Sequence, residues 1–134
     1  MSAIIDLELL LRSMSPQLQD TSYVFCRVDG TVAEHLSLDP LATFREDEGL
    51  TLVLEQRRAL EAGLGFEGVF RMITLSVHSS LNAVGLTAAV SSRLAERDIS
   101  ANVIAAYYHD HIFVPHHQAE AALAALEQLS DDSD

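Results

Sequence analysis

A loop of small polar residues carries the groups best suited to binding chemistry. It runs from His78 to Gly85, between a strand-like apolar segment and a helix-like segment. Backbone N–H groups at a strand-to-helix junction, together with the positive end of the helix dipole, favour a carboxylate. Gly85 places no side chain at the mouth of this junction, so a ligand can approach the backbone. The loop therefore predicts a position for an anionic group.

Two later positions, Asn102 and Asp110, offer the opposite kind of partner. Asn102 begins a predicted strand and Asp110 lies in a short turn, so they supply a carbonyl oxygen and a negative charge for an ammonium group. Donors on one side and a carboxylate on the other suit a zwitterion such as a free amino acid. In the structural alternative, Gly85 only permits close helix packing and Asn102 caps a turn. Spacing alone leaves both interpretations open.

Four histidines near the C-terminus raise the hypothesis of a metal site. Alternation along a strand places His109 and His111 on one face, which suits imidazole ligands. The sequence has no cysteine near them, and His116 and His117 open a helix predicted to face solvent. Histidines bonded to backbone or solvent are therefore favoured, and neither a metal nor another cofactor is predicted.

Sequence motifs give little support to an enzyme. His78-Ser79-Ser80 would need a base, an orienting acid and an oxyanion hole, and no G-x-S-x-G motif is present. Residues 63–68 match G-x-G-x-x-G, but they follow a predicted helix and precede a strand, the reverse of a dinucleotide site. We predict no catalytic residue and no enzyme. An enzyme that uses Asp110 with His109 or His78 is kept as the third alternative.

Composition limits the class of protein and its partners. The 134 residues are 49% hydrophobic and 21% charged, as in one ordinary globular domain or two very small ones. Eight arginines, no lysine and 20 acidic residues give a net charge of −12, which disfavours nucleic acid as a partner. No apolar run approaches the ~20 residues that span a membrane, and Asp6 and Glu8 argue against a secretory signal. We therefore expect a cytoplasmic protein with no membrane partner. Cys26 is predicted to be a buried thiol.

The first half of the chain predicts a helix and two hairpins. An Asp-Gly pair between extended runs is a strong hairpin indicator, and Gly63 occupies the usual position after a helix. The predicted elements are a helix over 4–14, strands 23–28 and 31–36 around Asp29-Gly30, strands 41–45 and 50–54, and a helix over 55–62.

The second half predicts the order β-α-β-β-α. Its elements are a strand over 70–77, a helix over 83–97, strands 102–107 and 111–114 around a turn at 109–110, and a helix from Pro115. This order lacks one strand of a ferredoxin-like βαββαβ unit, so that strand must come from the first half. The fold class is therefore α+β, with helices on one face of antiparallel sheets.

The segment from Phe70 to Val114 resembles the ACT domain. The similarity lies in a strand, a glycine-bearing loop into a helix, a short motif before the next strand, and an apolar closing strand. The matching residues are Ile73-Thr74-Leu75-Ser76-Val77, Val84-Gly85-Leu86-Thr87-Ala88, Leu94, Ile99-Ser100-Ala101-Asn102-Val103 and His111-Ile112-Phe113-Val114. Asp98 stands where many members carry a glycine.

The whole chain resembles small bacterial proteins built as a tandem of two ACT-like halves. The stretch from Tyr108 to Pro115 is similar to a segment in cytosolic arginine sensors of the CASTOR type. This resemblance implies two ACT (ferredoxin-like βαββαβ) modules that share antiparallel sheets, over residues 1–66 and 67–130. The remaining residues, 131–134, are predicted to be an acidic, solvated tail.

The resemblance implies a regulatory protein that binds a free amino acid at the seam between the two modules. The implied ligand-binding residues are Ser79, Ser80, Val84, Gly85, Asn102, Ile104 and Asp110. Expected partners are the amino acid, a second copy in a homodimer, and a protein that the sequence does not identify. The alternative is a non-catalytic assembly module without a ligand, which associates through open edge strands.

Overall fold

A computed structural model describes residues 6–132 of the chain. Contacts divide the chain into two compact units. The split unit joins residues 1–20 to residues 71–134, and the inserted unit comprises residues 21–70. In chain order the elements are α1 (Leu7–Arg12), β1 (Pro16–Val28), a 3₁₀ helix (Val32–Leu38), β2 (Ala42–Glu46), β3 (Gly49–Glu55), α2 (Gln56–Glu61), β4 (Phe70–Leu75), α3 (Leu86–Glu96), β5 (Asn102–Ala105), β6 (Asp110–Pro115), a second 3₁₀ helix (His116–Gln118) and α4 (Ala119–Asp132).

The sheet of the split unit has the strand order β1-β4-β6-β5, with the start of β1 as its first strand. The Arg71 side chain ties the first two strands together, because its Nε donates to the Gln19 carbonyl at 2.8 Å. Strands β5 and β6 pair antiparallel, from Asn102 opposite Phe113 to Ala105 opposite Asp110. The first half of the chain thus supplies the missing strand, as predicted.

Helices α1, α3 and α4 contact one another and cover the core of the split unit. The predicted apolar ridge of α3 is confirmed, since Leu86, Val90 and Leu94 are buried at successive turns. Arg93 donates from Nη1 to the Ala125 carbonyl at 3.2 Å, which ties α3 to α4. This packing fixes the direction of α3 and therefore the place where the polar loop enters it.

The inserted unit is a three-stranded sheet in the order β2-β3-β1, with its own apolar core. Its β2–β3 hairpin pairs Glu46 with Gly49, and α2 follows directly, as the sequence predicted. Cys26 is buried, at 3% exposure, which confirms that prediction too. The glycine motif at residues 63–68 lies between α2 and β4, so its order is helix, loop, strand.

The predicted strand over 31–36 is wrong, because this segment forms the first 3₁₀ helix. The Glu34 carboxylate accepts hydrogen bonds from the Thr31 backbone N–H at 3.3 Å and from the Thr31 hydroxyl at 3.2 Å. A Thr followed three residues later by Glu is a known helix-start pattern. Gly30, with φ of +97°, turns the chain into this helix instead of into a hairpin.

Other boundaries differ from their predictions. Helix α1 is shorter than the predicted 4–14; Ile4 lies outside the described residues, and Met14 lies beyond α1 yet is fully buried. The turn between β5 and β6 covers residues 106–109, because the Ala106 N–H donates to the His109 carbonyl. Of the predicted tail, Asp131 and Asp132 are exposed at the end of α4, and residues 133–134 lie outside the described part. No helix within residues 6–132 is long and apolar enough to cross a bilayer.

Candidate functional site

An open pocket of about 520 Å³ lies at the N-terminal end of α3. The loop after β4, the first turns of α3, and the facing ends of β5 and β6 form its walls. The lining residues are Ser79, Ser80, Leu81, Ala83, Val84, Gly85, Leu86, Thr87, Ala88, Ser91, Ala105 and Asp110. Five of the seven ligand-binding residues implied by the resemblance are therefore brought together, although up to 31 residues of sequence separate them.

The other two implied residues, Asn102 and Ile104, do not line this pocket. Asn102 is exposed at the start of β5, where it pairs with Phe113, and Ile104 pairs with His111. Ala105, at the end of β5 opposite Asp110, lines the pocket instead. Three residues along a strand span about 10 Å, which accounts for the distance of Asn102 from the site.

The Ser79 and Asp110 side chains form the polar centre of the pocket. Ser79 is buried at 6% exposure, and its Oγ donates to Asp110 Oδ2 at 3.2 Å. A carboxylate has about four lone-pair sites, so Asp110 can accept further donors such as an ammonium group. The geometry fits the role predicted for Asp110; whether it binds a ligand stays a prediction.

Gly85 has the close packing of the structural alternative and also lines the pocket, so the ligand-binding role predicted for it stays a prediction. It precedes α3 with φ of +101°, a conformation that favours glycine, and a Cβ here would lie 3.0 Å from Leu7 Cδ2. It also lines the pocket and has no side chain with which to cap α3. The N–H groups of Leu86, Thr87 and Ala88, in the first turn of α3, have no partner within the helix and suit a carboxylate.

Sequence reasoning missed the side chains that α3 contributes to the pocket lining. Thr87 and Ser91 are four residues apart, so they share a helix face, and both line the pocket. Ala88 and Ala105 complete the walls with small side chains. The only available signal was a pair of hydroxyl residues at helical spacing among alanines, which also fits an ordinary exposed helix face.

The neighbouring histidines are engaged outside this pocket. The His109 Nδ1–H donates to the Val77 carbonyl at 3.1 Å, and His111 Nδ1 shares a hydrogen bond of 3.0 Å with Thr74 Oγ1. Burial lowers the pKa of His111, and the charge of His109 lowers it further, while Asp110 opposes both. Within residues 6–132, no group of three or more His, Cys, Asp or Glu side chains is placed to hold a metal ion.

Two family models, both for the ACT domain, match residues 2–71 and 68–128. The chain belongs to the ACT domain family. The predicted tandem of ACT domains and the α+β fold class are thereby confirmed. ACT domains are regulatory ligand-binding modules and not catalytic ones. The finer similarity to CASTOR-type arginine sensors stays a prediction.

Solved structures show the same fold. A Vibrio cholerae protein described as "of Unknown Function" and "Possible Transport Protein" is 60% identical over 92% of this chain and 95% of its own, with a TM-score of 0.86. The ligand-free regulatory subunit of Thermus thermophilus aspartate kinase is 11% identical over 87% of this chain and 97% of its own, with a TM-score of 0.64. Clostridium acetobutylicum aspartate kinase is 8% identical over 87% of this chain but only 34% of its own, with a TM-score of 0.63. At 8% and 11% identity, the two aspartate kinase structures show only that the fold is shared. No functionally curated protein matched.

Proposed function

We propose that this ACT protein is a regulatory, non-enzymatic, cytoplasmic sensor that binds a free amino acid in the pocket at the start of α3. The observation that carries the proposal is that groups suited to a carboxylate and a group suited to an ammonium line the same pocket. The first turn of α3 presents backbone N–H groups, and Asp110 presents a carboxylate held by Ser79. The α-carboxylate of an amino acid suits the first and its ammonium suits the second.

The size of the pocket supports a ligand of this kind. About 520 Å³ lies within the range of small-molecule sites, which are usually concave and carry few polar groups. All of its lining residues belong to the split unit. The division into modules 1–66 and 67–130, and a ligand at their seam, stay predictions.

A catalytic role has less support from the same geometry. Nucleophilic catalysis by Ser79 would require a base able to take the hydroxyl proton, and its partner in the structure is the Asp110 carboxylate, a weaker base than the histidine that usually has this role. The histidines named in the enzyme alternative, His78 and His109, are not among the lining residues of the described pocket. His78 stacks near Tyr108, with ring centroids 5.3 Å apart, and His109 Nδ1 donates to the backbone.

A thermal-shift screen against the twenty amino acids tests the proposal. A ligand at about a hundred times its Kd stabilises the protein by about 2.7 kcal/mol, which raises the Tm by several degrees in a chain of this size. Asp110→Asn should abolish that shift. Asp47→Asn, at an exposed turn of the inserted unit, makes the same charge change away from the pocket and should preserve it. A panel in which no amino acid moves the Tm would contradict the proposal.

Self-assembly is a second candidate, favoured by the edge strand β2. This strand ends the sheet order, and its Phe44 side chain is 70% exposed. An open edge with an exposed aromatic residue favours pairing with a second copy. The molecular mass in dilute solution, with and without Phe44→Asp, tests this function separately from ligand binding.

A further inference from the structure

We propose that the ligand is a short amino acid with an uncharged side chain that carries a hydrogen-bonding group, recognised by Thr87 and Ser91. This inference rests on the proposed function and names the class of ligand. Two features of the described pocket lining carry it: Asp110 is the one ionisable side chain there, and Thr87 and Ser91 add hydroxyl groups.

The charge of the lining disfavours ligands with an ionised side chain. Among the lining residues of the described pocket, Asp110 is the one ionisable group. The ammonium that every amino acid carries already requires this carboxylate. A lysine or arginine ligand would bring a second cation without a second carboxylate, and an aspartate or glutamate ligand would find no cationic partner. An ionised side chain therefore gains no charge pair from the lining, and any part of it that enters the pocket loses hydration without a partner, so both classes should bind more weakly than an uncharged polar side chain.

The hydroxyls of α3 provide the means of selection. Thr87 and Ser91 lie one turn apart on the pocket face, and each hydroxyl can both donate and accept a hydrogen bond. Thr87 is exposed and Ser91 is half-buried, so water reaches both hydroxyls. A ligand hydroxyl or carboxamide replaces the hydrogen bonds of the water it displaces, whereas an aliphatic side chain that covers these groups gives no hydrogen bond in return. Sites built to bond a polar group reject the analogue that lacks it far more strongly than apolar sites reject an added group.

The shape of the lining favours a short side chain. Ala88 and Ala105 offer only small apolar surfaces to a ligand, and the larger apolar lining residues, Leu81 and Val84, are 64% and 82% exposed. A long aliphatic or aromatic side chain would therefore rest mainly against solvent-exposed residues, where little apolar area is removed from water.

Isothermal titration with threonine and valine tests the inference, since these amino acids share a shape but differ by a hydroxyl. We expect threonine to bind at least about tenfold more tightly than valine, and lysine, arginine, aspartate and glutamate to bind more weakly than either. Ser91→Ala should weaken threonine binding about tenfold and leave valine binding unchanged. Ser92→Ala is the matched control, because the exposed Ser92 is not among the lining residues.

The outcomes separate the two proposals. If valine binds as tightly as threonine, if a charged amino acid binds most tightly, or if Ser91→Ala weakens both ligands equally, the inference is overturned while the sensor function stands. If no amino acid binds, the proposed function fails and takes the inference with it.

Discussion

The Ser79 hydroxyl donates to the Asp110 carboxylate at 3.2 Å across 31 residues of sequence. This bond joins the loop after β4 to the first residue of β6, the two segments that face the start of α3. It therefore does two things at once. It holds the loop against the start of β6, and it fixes the position of Asp110, the one charged side chain that lines the described pocket.

Ser79→Ala should weaken both stability and binding. A hydrogen bond to a charged group contributes about 1.5–3 kcal/mol, and the open pocket lets water replace part of it, so we expect a loss of about 1 kcal/mol in the free energy of unfolding. Urea denaturation measures this loss. Ser92→Ala, on the exposed side of α3, should change it by less than about 0.5 kcal/mol. Equal values for the two variants would show that the bond contributes nothing.

Gly85→Ala should destabilise the protein more than Gly63→Ala or Gly65→Ala. At Gly85 the backbone φ is +101° and a new Cβ would lie 3.0 Å from Leu7 Cδ2, so strain and crowding add to about 2 kcal/mol. Gly63→Ala measures the backbone strain without the crowding, because the φ of Gly63 is +70° and no neighbouring atom lies within 4 Å of the added Cβ. Gly65 has open space around it, and its substitution should be nearly neutral.

We therefore expect the lowest Tm for Gly85→Ala, an intermediate Tm for Gly63→Ala and the highest Tm for Gly65→Ala. Adding Leu7→Ala to Gly85→Ala should recover the crowding part in a double-mutant cycle. A Gly85→Ala protein as stable as the Gly65→Ala protein would contradict the assignment. The same geometry makes Gly85→Val unsuitable as a binding test, because backbone strain at this position would disturb the loop as well as any ligand contact.

The sequence predicted the fold better than it predicted the site. The period-four ridge Leu86, Val90 and Leu94 identified α3 because burial of one face leaves a regular pattern. The strand over 31–36 failed because a local cap between Thr31 and Glu34 competed with the Asp-Gly turn preference, and pattern alone does not weigh the two.

Which residues lie close together in the site depends on the register of β5 and β6, and local sequence patterns do not determine that register. Ala105 pairs with Asp110 only because the turn covers residues 106–109 instead of 109–110. That shift brings Ala105 to the pocket, with Asn102 at the far end of β5. The hydroxyls of Thr87 and Ser91 likewise line a pocket only because the ends of β5 and β6 face them in the folded chain. Neither fact can be derived from residue types alone.

Glu34→Ala should destabilise the inserted unit by about 1 kcal/mol, since it removes the acceptor of the Thr31 backbone N–H and hydroxyl. Glu34→Gln keeps an acceptor oxygen and should recover most of the loss. Chemical denaturation compares both with Glu67→Ala, an exposed loop substitution that makes the same truncation. A Gln variant as unstable as the Ala variant would show that the bond geometry is not what stabilises this helix start.

Acidification should weaken the split unit through His111. Its pKa is lowered in the folded protein, mainly by burial and then by His109, with Asp110 acting in the opposite direction. The unfolded chain therefore binds the proton first as the pH falls through about 6.5, so His111 lowers stability progressively below that pH. His111→Asn can keep a hydrogen bond to Thr74 but does not titrate.

The Tm of the His111→Asn variant should thus fall less than that of the wild type between neutral pH and pH of about 5.5. His116→Asn makes the same substitution at an exposed position and is the matched control. Parallel Tm curves for the wild type and the His111→Asn variant would assign the acid sensitivity to other groups.

Cys26 should be almost inert toward thiol reagents in the folded protein. Burial raises the pKa of its thiol and leaves only 3% of the residue exposed, so both the thiolate fraction and access are reduced. Labelling by a disulfide reagent at mildly alkaline pH should be on the order of a hundredfold slower than in denaturing urea, because reaction must await local opening. A Ser92→Cys variant supplies an exposed thiol in the same protein and should label rapidly at that site. If Cys26 reacted as quickly as Cys introduced at position 92, the inserted unit would have to open far more readily than its packed core indicates.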